Sequence, residues 1–189
     1  MPGLAAAIPR LFRDSATGEY FSRCLMCDRH LLDGADYLIE KAVRAIPGPA
    51  RTEMLFEYAI CMDCAEQMRK QLSKESLQGI SAYFGKHVDM QARMDLIARP
   101  GTTFRDCIAT CLITGVTIKK EREYSLYAQC QGKRLVYGLF PYAVCESSME
   151  AVNSLLSSKS REVLNGFIDR YFSGPPEVAA ILRKRPVLL

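Results

Sequence analysis

Four cysteines in the pattern C-x2-C-x33-C-x2-C, Cys24, Cys27, Cys61 and Cys64, constrain this chain more than any other feature. Two residues between the members of a pair let a tight knuckle turn aim both sulfurs at one ion. Two such knuckles complete a tetrahedral shell, the arrangement Zn²⁺ takes with four thiolates at about 2.3 Å. A closed shell leaves no position for water or substrate, so the expected ion is structural. Its binding free energy, about 10–16 kcal/mol in small peptides, is enough to decide folding.

The chain has eight cysteines, which in a secreted protein would suggest disulfides. The N-terminal decapeptide has no basic leader and is broken by Pro2 and Pro9, so it reads as a poor signal peptide. No stretch approaches the ~20 apolar residues of a membrane span. A soluble, cytoplasmic protein is expected, in which paired C-x2-C spacing points to metal.

With 189 residues, 49% of them hydrophobic, the chain is long enough for one compact core or two small ones. Only two histidines, His30 and His87, leave little room for chemistry that needs several imidazoles. The net charge of +4 is a weak bias. Four thiolates on one Zn²⁺ would lower it to about +2, far from the concentrated basic face of a dedicated nucleic-acid binder.

Residues 1–20 read as a loose lead-in. Strands are expected over 35–43 and 53–60, joined through Ile46-Pro47-Gly48-Pro49. A helix is expected from Met62, and a second, capped by Ser73, with Leu77, Ile80 and Phe84 as its buried stripe. A short helix over 86–98 ends before Pro100-Gly101, the expected boundary between residues 21–99 and 100–189. Strands near 116–129 and 134–144 and helices near 146–156, 159–172 and 177–184 complete the pass.

The order of elements repeats, and so do residues. Leu55-Phe56-Glu57-Tyr58-Ala59-Ile60-Cys61 and Leu139-Phe140-Pro141-Tyr142-Ala143-Val144-Cys145 share five of seven positions at an offset of 84. Cys24-Leu25-Met26-Cys27 matches Cys111-Leu112-Ile113-Thr114 at 87, as Tyr37 matches Tyr124. Glu66 and Leu72 match Glu150 and Leu156 at 84, and Tyr83-Phe84 is paired with Tyr171-Phe172 after a small insertion. The pattern is that of an internal duplication. Its second copy places Cys111, Thr114, Cys145 and Ser148 where the first has four cysteines. Hydroxyls are poor zinc ligands, so one live and one decayed site are expected. A second metal site would need Cys107 or Cys130 to join Cys111 and Cys145.

The knuckle at Cys24–Cys27, the hairpin over about 35–60 and the second pair opening a helix resemble a treble-clef zinc finger. The likeness covers residues 21–84 and, more faintly, 108–172. It implies an α+β fold of two tandem treble-clef-like halves packed as a pseudo-dimer, and it is specific for metal rather than for function. The glycine usual after such a knuckle is replaced by Asp28, whereas Gly115 follows Thr114. The glycine- and proline-bearing knuckles of rubredoxin-like iron sites are absent. Nucleases of the His-Asn-His type need a histidine along the hairpin, and only His30 lies in that interval, just after the knuckle.

His30 reads as a thiolate hydrogen-bond donor or a solvated loop residue, and His87 as surface. Asp33, Asp36 and Glu40 form no catalytic set. Cys107 and Cys130 read as buried apolar thiols. Lys119, Lys120, Arg122, Lys133 and Arg134, interleaved with Tyr124 and Tyr127, suit a nucleic-acid surface or a solvated hairpin face. No catalytic or cofactor-binding residue is legible. The expectation is a non-enzymatic zinc-stabilised binding module for protein partners. A nucleic-acid-binding or regulatory zinc protein, and an enzyme with its site between the two halves, are the alternatives.

Overall fold

A computed structural model describes residues 5–47, 51–172 and 182–183. Among these the chain is mixed α+β, with six helices and a six-stranded antiparallel sheet. The strands are β1 (Ala5–Ala7), β2 (Asp36–Ala45), β3 (Thr52–Cys61), β4 (Glu123–Gln131), β5 (Arg134–Val136) and β6 (Tyr142–Cys145). The helices are α1 (Met62–Gln71), α2 (Lys74–His87), α3 (Met90–Ala98), α4 (Phe104–Cys107), α5 (Glu146–Ser154) and α6 (Ser158–Tyr171). Most of the helix expected at 177–184 lies outside the described residues.

The sheet runs β1-β5-β4-β2-β3, with β6 also paired to β4. Residues 37–43 of β2 are buried without a break, which requires cover on both faces because successive side chains point to opposite sides. On one face Glu40 receives Tyr58 and Tyr127. Tyr58 in turn packs on Phe167 of α6 and on Phe172, with ring centroids 5.8 and 5.5 Å apart. On the other face Lys41 reaches the N-terminal segment through the Arg13 carbonyl and Ser15.

Residues 5–20, expected as part of a loose lead-in, are tied to the fold. β1 extends the sheet beside β5, and Ile8 and Phe12 are fully buried. Breakers such as Pro9 hid a 3₁₀ turn over Arg10–Phe12 that turns Phe12 into the core. Lys41 is 1% exposed and pairs with Glu57 at 2.6 Å. Glu57 also accepts from Ser15 N and Oγ at 2.7 and 2.8 Å.

The second hairpin departs from the first in its return strand, which is split into β5 and β6. Eighty-four residues after Glu57 stands Pro141, which has no N–H to donate to a ladder. Arg93 of α3, only 6% exposed, caps the interruption. Its guanidinium donates to the carbonyls of Leu139 (3.1 Å), Cys107 (3.0 Å) and Pro141. The strand expected from residue 116 starts only at Glu123, because a 3₁₀ turn over Ile118–Lys120 buries Ile118 first.

Ser73 caps α2 and Ser157 caps α6. The two hydroxyls lie 2.9 Å apart, and each capping residue's N–H donates at 2.9 Å to the other helix's buried serine, Ser160 or Ser76. Both helices have 14 residues and start and end at an offset of 84. At that offset Tyr83 corresponds to Phe167 and Phe84 to Ile168.

Candidate metal centre

The first knuckle is held by its own backbone. Cys24 N–H donates to Arg29 O at 2.9 Å and Asp28 N–H to Cys24 O at 3.0 Å, and Arg23 bridges His30. Asp28 takes φ 58°, the left-handed conformation a glycine there would supply. Leu25 N–H donates to Ala59 O at 2.9 Å, fixing the knuckle against β3. Cys61 ends β3 and stands at the N-cap of α1, and Cys64 lies in its first turn. Helix N-termini favour negative charge, so this placement suits thiolates.

The four sulfurs all lie within 4.8 Å of one another, and Cys27 is 3.7 Å from Cys61. A tetrahedron of 2.3 Å bonds spaces its sulfurs about 3.8 Å apart. The group is therefore positioned to bind one metal ion. Cys24, Cys61 and Cys64 are buried and Cys27 is exposed. Cys61 N–H donates to Cys24 Sγ at 3.3 Å. Burial raises the Cys24 thiol, but backbone N–H groups of Cys61, Cys27 and Met26 outweigh it and bring the pKa to about 7. Burial pushes the Cys61 and Cys64 thiols up, so loading a metal there releases protons and weakens as pH falls. Arg29 and Asp63 form an ion pair beside the site at 2.5 Å. His30 pairs with Asp33 at 2.8 Å, taking the solvated role. His87 is exposed and packs at a tilt against the Tyr83 ring, with centroids 4.6 Å apart.

The same backbone bonds recur 87 residues on. Cys111 N–H donates to Val116 O at 2.8 Å, Gly115 N–H to Cys111 O at 2.9 Å, and Leu112 N–H to Ala143 O at 2.8 Å. Thr110 bridges Thr117. Cys145 N–H donates to Cys111 Sγ at 3.4 Å, and Gly115 takes φ 73°. Hydroxyls fill the remaining positions. Thr114 Oγ1 lies 3.6 Å from Cys145 Sγ, and Ser148 Oγ lies 3.4 Å from Cys111 Sγ. Burial raises the Cys145 thiol, yet hydrogen bonds from Ser147, Ser148 and Thr114 bring it to about 7. The part played by Ser147 has no counterpart in the cysteine pattern and was not legible from it.

Cys107 is buried, with its carbonyl on Arg93, and Cys130 is buried in β4 beside Tyr37, where desolvation pushes its thiol up to about 12. Among the described residues the only cluster of three or more metal-ligating side chains is the first four cysteines. Of the two tyrosines in the basic hairpin, Tyr127 is buried against Glu40 and Tyr124 is half-buried. No helix among the described residues is long and apolar enough to cross a membrane. No protein-family model, curated protein or solved structure matches the chain.

Proposed function

We propose that this chain is a non-enzymatic, zinc-stabilised protein-interaction module built from two related treble-clef-like halves, cytoplasmic in location. The observation that carries the reading is the all-cysteine set Cys24, Cys27, Cys61 and Cys64, drawn together at tetrahedral spacing. Four thiolates suit Zn²⁺ and close its shell, so the ion supplies folding free energy and no Lewis-acid position for a substrate. A reducing compartment keeps such ligands available.

The recurring knuckle bonds support a duplication, and so does the sheet. β2 pairs β4 from Asp36 opposite Gln131 to Arg44 opposite Glu123. Within that register Glu40 faces Tyr127, the residue 87 positions later. Two copies related by a local twofold would meet at such a pair, and the reciprocal Ser73–Ser157 contact lies where the corresponding helices meet. One copy keeps its metal, and Thr114 and Ser148 replace metal coordination by hydrogen bonding in the other.

Metal analysis of the purified chain tests the reading. One zinc per chain is expected, and Cys61→Ser should lose both the ion and the cooperative thermal transition. A metal-free folded chain, or two zincs per chain, would overturn it.

A further inference from the structure

Helices α1 and α2 and the segment that leads into β6 enclose an open groove of about 380 Å³. Arg69, Leu72, Leu77, Ile80, Phe84 and Phe140 line it. Met62, also in the lining, is 37% exposed, which is high for a large apolar side chain. We propose that this groove binds a partner protein through a short segment that inserts a leucine-like side chain and sets an acidic side chain against Arg69. The inference rests on the interaction-module reading and gives it a surface.

The corresponding face 84 residues later already holds a leucine as its occupant. Asn153, Leu156, Arg161, Leu164 and Ile168 stand there where the groove has Arg69, Leu72, Leu77, Ile80 and Phe84. That second face is engaged by the chain itself. Leu182 lies against it and is 2% exposed, and Arg183 Nη2 donates to Asp169 Oδ1 at 2.6 Å. A helix-pair face of this shape therefore accepts a leucine followed by a charged residue.

The open groove differs from that face in where its charges stand. Arg69 takes the place of Asn153, Leu77 that of Arg161, and Gly85 that of Asp169. The face is more apolar, carries a cation, and lacks the carboxylate that receives Arg183. A second copy's Leu182-Arg183 would bring one arginine toward another with no anion between them. A foreign segment with Asp or Glu beside its leucine fits instead.

Two synthetic peptides test this. One carries the sequence of residues 177–183, and the other is the same peptide with Arg183→Asp. Each is titrated into the zinc-loaded chain while the methyl resonances of Leu77 and Ile80 are followed. The acidic peptide should shift those methyls and bind roughly fivefold more tightly than the basic one, as expected for one part-exposed ion pair. Arg69→Glu should reverse the preference. Equal binding, or unmoved methyls with both peptides, would overturn the proposal. A capture experiment with zinc-loaded wild type and Ile80→Glu, the variant's fold checked by zinc content and melting, separates the two levels of inference. Proteins lost from the variant support the groove. Proteins kept by it refute the groove and leave the module reading intact, and capture by neither chain refutes both.

Discussion

Glu40 on β2 and Tyr127 on β4 lie directly opposite one another, and the phenol donates to Glu40 Oε1 at 2.8 Å. Tyr58 donates to the other carboxyl oxygen from β3. Desolvation first, and the Glu40 charge second, hold both phenols well above their ordinary pKa. Tyr127→Phe leaves Glu40 Oε1 without this donor inside the core, which should cost about 1–3 kcal/mol in urea unfolding. The pH dependence has a definite sign. A phenol whose pKa is raised by folding contributes its stability in full below the ordinary value of 10.0 and loses it as pH climbs above that value. The melting temperature should therefore fall above pH ~10, and less steeply in Tyr127→Phe.

The proposed loss of a second metal site can be tested by supplying the two missing thiols. Thr114 and Ser148 already stand 3.6 and 3.4 Å from Cys145 and Cys111, near the roughly 3.8 Å sulfur spacing of a zinc tetrahedron. The double variant Thr114→Cys/Ser148→Cys should bind two zinc ions per chain by elemental analysis. A count that stays at one would argue against a lost metal site.

The serine cluster joins two helix caps into one unit. Ser157→Ala should cost about 1–2 kcal/mol, the usual range for losing an N-cap. Ser73→Ala should cost a similar amount. Because Ser73 Oγ and Ser157 Oγ are 2.9 Å apart, the double variant should cost less than the two added together, by roughly 0.5 kcal/mol or more. Additivity would show that the two caps act independently.

Lys41 ties the N-terminal segment to the sheet through Glu57, Ser15 and the Arg13 carbonyl. Lys41→Ala strands these partners, and removing one member of a buried pair costs about 3–5 kcal/mol. Proteolysis should then cut within residues 13–20 before the rest of the chain. Lys41→Met fills the space but leaves Glu57 without its counter-ion, so it should also be destabilised.

The metal set and the order of elements were legible because their signals are local. A C-x2-C pair and a Ser73 cap are short-range patterns whose geometry follows from backbone sterics, whereas the stripe of Leu77, Ile80 and Phe84, expected to be buried, is only half-buried and lines the open groove. Three things were not legible. Residues 5–20 read as loose because nothing in their sequence announces that Lys41 and the sheet edge await them. The break between β5 and β6 needed Arg93, from a helix more than forty residues away, to satisfy the freed carbonyls. Glu40 read as an acidic residue near the metal site and Tyr127 as one of the tyrosines among the basic residues of a hairpin, yet they meet across the β2–β4 pair.

The sequence by itself determined where four sulfurs would converge, because the metal pattern is written in spacing. Only the tertiary structure decided which polar residues are buried, since a carboxylate or an ammonium enters a core only when distant strands and loops bring its partners to it. Glu40, Lys41 and Arg93 are such residues, and the contacts that justify them lie far from them along the chain.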